Sequence, residues 1–355
     1  MNKFRKEIYT KTKLTGFASV VAMRSALAIY RGWKKNGRKE TPRVKSKFIS
    51  LQPGYNCKFI GNRLRITFEK RKYIWLELKV DKYQRSFLDL IEQGKLKSGQ
   101  ITVGKVFATL SVKKNYLPYK YEGILALDIN EKSIDGVIFK NNRIKPIKWN
   151  LDNPYDLNQR YFGYKRKLQA KYPNRFALWK KLSQNKNYRN RVRWYLDNVS
   201  KQITDFAEIE QLMIVMENLK NIKKGINKRE LKKNKYNKEQ MMRTSSLSLL
   251  GRLNRTNFRR IQFMIDYKGK WNNVPIQYVN PKNTSRSCSR CGEIGTPNNS
   301  TLTCEKCGLT INRQLNASIN ILKIGMALCG SGRDWSQLTA NNLMGQVGLS
   351  QDKIT

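Results

Sequence analysis

Histidine is absent from the 355 residues of this chain. Its absence excludes Ser–His and Cys–His nucleophilic catalysis, a histidine general base and zinc sites with mixed cysteine and histidine ligands. Any chemistry must therefore be carried out by carboxylates, metal ions, lysine or tyrosine.

Long apolar runs are absent as well. No stretch approaches the ~18 uninterrupted apolar residues that a membrane span needs. The first residues also lack the apolar core and cleavage site of a secretory signal. We therefore expect no membrane partner and a cytoplasmic location, and the abundance of lysine, asparagine and isoleucine suggests a prokaryotic source.

Acidic residues are scarce: 25 Asp and Glu stand against 71 Lys and Arg, a formal net charge of +46. Such an excess repels itself in a compact chain unless a polyanion neutralises it. Nucleic acid is the favoured partner, because each phosphate contact releases counterions. A membrane surface is the competing interpretation, and the spread of basic residues along the whole chain disfavours it.

Three stretches of the chain differ in pattern. Residues 1–47 are basic and predict a helix over 15–35, whereas residues 48–112 show short alternating runs that predict a small antiparallel sheet or barrel. Beyond residue 117, longer apolar runs predict strands at 123–128, 136–139, 143–147, 212–216 and 274–279. Residues 157–210 interleave basic and aromatic residues in a pattern typical of two long helices, whose aromatics fit either base stacking or a helical core.

Four of the six cysteines form two CxxC pairs: Cys288, Cys291, Cys304 and Cys307. Two such pairs can present four thiolates tetrahedrally, which predicts one zinc ion whose closed shell makes it structural. The remaining Cys57 and Cys329 are interpreted as reduced thiols. The basic residues around the four cysteines indicate nearby nucleic acid; they are Lys282, Arg286, Arg290 and Lys306.

Two acids, Asp128 and Glu217, end apolar strands. Carboxylates at the ends of separate strands can converge on a divalent ion such as Mg²⁺ or Mn²⁺, which activates water for attack on a phosphodiester. The competing interpretation is that both are ordinary solvated acids at strand ends.

These motifs resemble the TnpB proteins of insertion sequences, which are related to compact type V CRISPR effectors. The resemblance rests on Asp128, on IVMENLK around Glu217, on NPKNTSRSCSRCG from Asn280, and on NRQLNASINI from Asn312. It implies an α/β and β multi-domain chain whose RuvC-like (RNase H-like) domain spans 117–355. That domain would carry a helical insertion at 157–210 and a zinc ribbon at 284–310. A wedge-like antiparallel β domain, a small barrel, would span 48–116 after a basic helical segment at 1–47.

The same resemblance implies the partners: a guide RNA that reads sequence by base pairing, and double-stranded DNA with a short flanking motif. Asp128 and Glu217 would be catalytic Mg²⁺ ligands, Arg313 would contact nucleic acid, and the protein would lie at the nucleoid when bound to DNA. Whether the chain is a monomer or a dimer stays open.

One position departs from the family pattern. DNA-cutting members carry a third acid in an Asp-Arg-Asp-x-Asn-Ala motif, and Gln314 stands at its position here, with Asn312 in place of the preceding acid. Loss of one of three charges should weaken cation binding and slow cleavage. Asp334, Glu305 and Glu293 are the candidates to replace the missing acid.

Three functions stay open at this point. The chain is an RNA-guided DNA-binding protein with impaired or lost cleavage, acting as a repressor, or an RNA-guided endonuclease with a relocated third acid. The third is a non-enzymatic zinc-ribbon RNA-binding protein of another kind, which leaves Asp128 and Glu217 unexplained.

Overall fold

A computed structural model describes residues 7, 10–11, 16–37, 41–42, 48–69, 71–184, 186–219, 229–233, 239–243 and 256–329. The chain forms two compact units, residues 1–115 and residues 116–355. Within the described residues, no helix is both long enough and apolar enough to cross a membrane.

The first unit contains two small antiparallel sheets. Its helices are α1 (Gly16–Lys35) and α2 (Lys82–Glu92), and its strands are β1 (Ile49–Leu51), β2 (Cys57–Ile60), β3 (Arg63–Glu69), β4 (Lys72–Glu77), β5 (Lys97–Val103) and β6 (Ala108–Lys113). The sheet orders are β1-β5-β6 and β2-β3-β4. A core of buried side chains holds this unit together: Leu51, Cys57, Leu64, Ile66 and Ile101.

The described strands of this unit do not close into the barrel that the family resemblance implied. Among the described residues of this unit, no strand of one sheet pairs with a strand of the other: β1 and β6 flank β5, while β2 and β4 flank β3. Helix α2, which the sequence analysis did not predict, lies between β4 and β5. Its signal is a capping box: the Asp81 side chain accepts from the Gln84 amide, and the Gln84 side chain accepts from the Asp81 amide.

The second unit is built on a five-stranded mixed sheet. Its strands are β7 (Gly123–Ile129), β8 (Ser133–Lys140), β9 (Arg143–Asn150), β10 (Leu212–Glu217), β11 (Arg229–Lys233), β12 (Glu239–Arg243), β13 (Ile276–Val279), β14 (Thr296–Asn298), β15 (Thr301–Thr303) and β16 (Thr310–Asn312). Its helices are α3 (Asp152–Lys171), α4 (Phe176–Leu182), α5 (Lys186–Ile209), α6 (Phe258–Trp271) and α7 (Arg313–Leu328). The large sheet has the order β13-β10-β7-β8-β9.

Strand direction changes within this sheet. β10 runs parallel to both β7 and β13, whereas β7, β8 and β9 form an antiparallel meander. The parallel pair β7 and β10 is joined through α3, α4 and α5, as parallel strands require a long crossover. The carboxyl ends of β7 and β10 therefore lie at the same edge of the sheet.

The two faces of the sheet are covered differently. One set of alternate residues, including Ala126, Val137 and Val215, packs against α7 and the cysteine-bearing segment. The other set, including Leu127, Ile134 and Met216, packs against α5 and α6. Because successive strand residues point to opposite faces, the parity of a residue decides which layer it meets.

The aromatic residues of the helical crossover divide into two groups. Tyr161 stacks on Tyr188 with ring centroids 4.1 Å apart, and its hydroxyl donates to the carbonyl of Ser183 at 2.9 Å. Tyr164, Phe176 and Trp194 are instead exposed. Tyr161 and Tyr188 therefore pack within the helices, and base stacking by the exposed aromatics stays a prediction.

Candidate metal centres

Asp128 and Glu217 lie at the same edge of the large sheet. In the parallel pairing of β7 with β10, Leu127 is opposite Met216, so the next residues along the two strands are Asp128 and Glu217. Both side chains point to the face of the sheet that α7 covers. Asp128 is two residues after Ala126 and Glu217 is two residues after Val215, and residues two apart in a strand share a face. The fold therefore brings the two acids to one edge and one face.

Asp128 is half-buried beside a second acid from the neighbouring strand. Its cross-strand partner on β8 is Asp135, and the Asn130 amide nitrogen donates to both carboxylates, at 2.9 Å to Asp128 and 3.1 Å to Asp135. The Ser133 hydroxyl also donates to Asp135. Burial raises the pKa of Asp128 to about 7, helped by the negative charge of Glu217 and, less, Asp135, while Asn130 and the charge of Arg313 oppose the rise.

Glu217 is held from two sides. The hydroxyl of Thr284, a buried residue, donates to Glu217 Oε1, and the buried Gln262 side chain donates to the Glu217 carbonyl. Burial raises the pKa of the Glu217 carboxyl, and the hydrogen bond from Thr284 opposes that rise. The side chain is thus fixed in orientation while keeping one carboxylate oxygen outside this hydrogen bond.

Gln314 lies in the first turn of α7. The Asn312 side chain caps this helix by accepting hydrogen bonds from the Gln314 and Leu315 amides at 3.0 and 3.2 Å. The Ser318 hydroxyl lies 3.0 Å from the carbonyl oxygen of Gln314 and 2.9 Å from that of Asp135. Position 314 is therefore next to strand β8 at the acidic edge.

The donor atoms at this edge suit a hard divalent cation. They are carboxylate oxygens of Asp128, Asp135 and Glu217, with the Thr284 hydroxyl close by, and such oxygens are the ligands of Mg²⁺ and Mn²⁺. Across the described part of the chain, only the four cysteines form a group of three or more ligands with all atoms within 4.8 Å. The carboxylates are therefore set wider apart than a closed shell around one ion.

The four cysteines form a compact cluster. Cys288, Cys291, Cys304 and Cys307 place their sulfur atoms within 4.8 Å of one another, with the Cys288–Cys307 and Cys291–Cys304 pairs at 3.6 and 3.5 Å. Tetrahedral zinc with bonds of ~2.3 Å sets its sulfur atoms about 3.8 Å apart. The arrangement is therefore compatible with zinc binding.

The two halves of the cluster have the same backbone turn. Gly292 and Gly308 adopt φ values of 83° and 70°, a region that favours glycine. Their amides donate to the carbonyls of Cys288 and Cys304 at 2.9 and 2.8 Å. The amide of Arg290 also reaches the sulfur of Cys288 at 3.4 Å, as expected for a metal-binding knuckle.

The free thiols of this cluster differ in acidity. Burial raises the pKa of Cys288 to about 12, whereas the backbone hydrogen bond from Cys307 lowers the pKa of Cys304 to about 7. Metal binding must therefore displace at least the proton of Cys288 at neutral pH.

Helix α7 anchors the segment that leads into the cluster. Asn316, Asn320 and Lys323 lie on one face of the helix and bind the backbone of residues 284–289. The Asn316 side chain accepts from the Ser289 amide and donates to the Ser287 carbonyl, both at 2.8 Å. Cysteine cluster and acidic edge are consequently connected through this helix and through Thr284.

The predicted basic residues have different environments. Lys282 and Arg286 are exposed, whereas Lys306 forms an ion pair with Glu293 at 2.5 Å. Arg290 turns back onto the ribbon, where its guanidinium donates to the Cys307 carbonyl at 3.4 Å. Arg313 lies close enough to Asp128 for its charge to lower that carboxyl's pKa.

Two of the three candidates for a relocated acid, Glu293 and Glu305, are described, and neither contacts a described residue of the acidic edge. Glu293 pairs with Lys306, and Glu305 accepts from the Thr296 hydroxyl at 3.3 Å, both on the ribbon surface. Asp334 lies outside the described residues.

Sequence reasoning missed Asp135, Asn130 and Thr284. The signal for Asp135 was present, because it is two residues before Val137 and so shares the parity of the buried face. Thr284 had no comparable signal, since a threonine in the loop before the cysteines acquires its role only through the long-range contact with Glu217.

The fold and the site define a class: an α/β chain with a mixed sheet, two acids at one edge and a four-cysteine ribbon before the last described helix. Residues 258–321 match the family model of the Cas12f1-like TNB domain. The chain is 32% identical over 271 residues to the TnpB-like protein MJ0751 of Methanocaldococcus jannaschii, covering 75% of this chain and 92% of that one. The chain belongs to the TnpB family, which confirms the resemblance noted in its sequence.

Two more distant relatives extend this picture. The chain is 22% identical over 348 residues to the CRISPR-associated endodeoxyribonuclease Cas12f2 of a Micrarchaeota archaeon, covering 82% of this chain and 60% of that one. It shares a fold, with a TM-score of 0.53 and 17% identity, with Cas12f1 in a cryo-EM complex with sgRNA and target DNA. That match covers 86% of this chain and 70% of Cas12f1.

Proposed function

We propose that this chain binds a guide RNA and uses it to target double-stranded DNA. Family membership supports the proposal, as does the net charge of +46, which suits a protein that holds two polyanions. The observation that carries its nuclease part is the convergence of Asp128 and Glu217 on one edge and one face of the large sheet. In such a protein, base pairing reads the target and protein side chains read a short flanking motif.

In this proposal, residues 117–355 are a RuvC-like nuclease domain that carries the helical insertion 157–210 and the ribbon 284–310. Asp128 and Glu217 hold a divalent cation, which would activate a water molecule for in-line attack on a phosphodiester. Thr284 orients Glu217, and Asn130 holds Asp128 at this edge in the absence of a cation. Residues 1–47 and 48–116, the latter as a wedge-like domain, contact RNA and DNA.

The four cysteines bind a structural zinc ion in this proposal. A closed shell of four sulfur ligands leaves no open coordination position, so the zinc takes no part in cleavage. Its role is to fix the segment that carries Thr284 and the basic residues Lys282 and Arg286.

Two versions of this function differ in whether DNA is cut. Gln314 in place of the third acid favours the first version, in which the rate of DNA cleavage falls by about 100-fold or more, or cleavage is lost. In this version the protein acts as an RNA-guided repressor. Asp135 at the acidic edge favours the second, an active endonuclease with a relocated acid. The non-enzymatic zinc-ribbon protein is disfavoured, because it gives no role to the paired acids.

The test uses zinc-loaded protein that is expressed together with its native locus, so that its RNA copurifies with it. It is incubated with plasmids that carry the guide-matched target beside randomised flanking bases, in Mg²⁺ and in Mn²⁺. We expect binding that depends on both the RNA and the flanking bases, and the extent of cutting decides between the two versions. Binding that is equally tight without the RNA would overturn the proposal.

A further inference from the structure

Asp135 faces Asp128 directly across the β7–β8 pair. Their Cα atoms are register partners, and one Asn130 nitrogen donates to an oxygen of each carboxylate at 2.9 and 3.1 Å. Those two oxygens therefore lie within about 6 Å of each other. Both side chains point to the face of the sheet that α7 covers, which is the face of Glu217 as well.

This pair carries charge that its surroundings do not balance. Like charges directly opposite each other on neighbouring strands are destabilising. Within the described residues, neither carboxylate forms an ion pair, and the hydrogen-bond donors that reach them are the neutral Asn130 and Ser133. Arg313 acts on Asp128 only at a longer range. A cation between the strands would supply the positive charge that the Asn130 NH₂ group supplies only in part.

The position of Gln314 adds a second reason. The Ser318 hydroxyl contacts the carbonyl oxygens of both Gln314 and Asp135, at 3.0 and 2.9 Å. The helix turn on which the third acid of the family pattern falls is therefore next to the strand residue Asp135. In its first turn, helix α7 brings no carboxylate to this place, whereas β8 brings one.

We propose that Asp135 is the third carboxylate of the cation site formed by Asp128 and Glu217, and that it takes the place of the charge that Gln314 lacks. This inference rests on the cation site of the proposed function. Without a cation, the carboxylates of Asp128 and Asp135 are widely spaced. A cation that takes the place of the Asn130 NH₂ group would draw them closer. The site then keeps three negative charges, and the protein cleaves its target.

The experiment measures Mn²⁺ binding by electron paramagnetic resonance on the full, zinc-loaded chain without nucleic acid. Asp128→Asn, Glu217→Gln and Asp135→Asn are compared with Asp156→Asn, which removes the same charge from an exposed position of α3. We expect each of the first three changes to raise the Kd for Mn²⁺ at least about tenfold, because affinity follows the number of charged ligands. Asp156→Asn should leave the Kd unchanged.

The outcomes separate this inference from the proposal beneath it. If Asp135→Asn binds Mn²⁺ as the unmodified protein does while Asp128→Asn and Glu217→Gln bind it weakly, Asp135 is not a ligand and the inference fails alone. If all three variants bind as the unmodified protein does, or if that protein binds no Mn²⁺, the cation site itself is wrong. Target cleavage by the guide-loaded complex should be lost in Asp135→Asn as in Asp128→Asn.

Two further measurements guard against a variant that does not fold. Anomalous scattering from Mn²⁺ in crystals of the unmodified protein should place the ion at bonding distance from Asp135, and an ion bound only to Asp128 and Glu217 would contradict the inference. Gln314→Asp in the Asp135→Asn background should restore Mn²⁺ binding, because it returns a carboxylate to the adjacent position on α7. Failure to restore binding in this folded double variant would count against the equivalence of the two positions.

Discussion

Thr284 joins the two candidate metal centres: its hydroxyl donates to Glu217, and its carbonyl accepts from the Asn320 side chain at 2.8 Å. Asn320 also binds Ser287, one residue before the first cysteine of the cluster. The orientation of an acid on the sheet therefore depends on the loop that the cysteine cluster fixes.

Removal of the Thr284 hydroxyl should weaken cation binding. In Thr284→Val, Glu217 loses the hydrogen bond that opposes the rise of its pKa. A hydrogen bond to a charged group contributes about 1.5–3 kcal/mol, so the Kd for Mn²⁺ should rise about tenfold or more. Thr303→Val, at an exposed position of β15, is the matched control and should bind Mn²⁺ normally. Equal affinities in the two variants would show that Thr284 does not position Glu217.

Loss of zinc should loosen the acidic edge as well as the ribbon. We expect Cys291→Ser to lower the zinc content and to speed amide hydrogen exchange in residues 284–289, with the affinity for Mn²⁺ falling in parallel. Cys329→Ala changes a cysteine outside the cluster and should retain one zinc ion per chain. If Cys291→Ser loses zinc yet keeps its Mn²⁺ affinity, the two centres are independent.

Stability without a divalent cation should fall as the pH rises from about 4 to 7. The pKa of Asp128 is raised from 3.8 to about 7, so in this range the folded state holds a proton that the unfolded state has released. The free energy of unfolding should then decrease by as much as about 4 kcal/mol across the range, an upper estimate for this single group. Urea titrations of the zinc-loaded protein at several pH values measure the slope.

Asp128→Asn should flatten that slope, whereas Asp156→Asn should not. Mg²⁺ should restore stability mainly at pH 7 and above, because it binds the deprotonated carboxylate. A slope that is the same in Asp128→Asn and in the unmodified protein would mean that Asp128 titrates normally.

The exposed basic residues before the ribbon should contact phosphate. Lys282→Ala and Arg286→Ala should each weaken nucleic-acid binding and reduce the slope of log K against log salt by about one. Lys306→Ala is the comparison. Because the Lys306 ammonium group is already paired with Glu293, this substitution should change the slope less. Filter binding of the copurified RNA between 50 and 300 mM salt would measure this, and an equal effect of all three changes would refute the distinction.

The sequence allowed the pairing of Asp128 with Glu217 to be predicted, because each acid ends an apolar run and parallel strands end at one edge. The same alternation would have placed Asp135 on that face once β8 was known to be adjacent to β7. The cysteine spacing was sufficient to predict the cluster. These features depend on residue spacing and on the two-residue alternation of strands, and both can be read from a single sequence.

Other features depend on distant contacts and could not be predicted in the same way. Thr284 meets Glu217 across 67 positions of sequence, and Asn316 meets Ser289 across 27. The barrel that the family resemblance implied over 48–116 was wrong for the described strands, which form two antiparallel sheets. The alternating runs had left a sheet and a barrel open, because alternation predicts strands but not which strands pair. Helix α2 was missed although its capping box, Asp81 with Gln84, is visible in the sequence.

Ser318 joins the first turn of α7 to strand β8, since its hydroxyl contacts a carbonyl oxygen of each. In evolutionary terms, the proposed role of Asp135 makes two positions of the chain alternative hosts for one charge. A lineage that gains an acid on the strand is released from selection on the helix, and the helix acid can then drift to glutamine. In members of this family with glutamine at this helix position, an acid opposite the first strand carboxylate is therefore the residue to look for before the nuclease is judged inactive.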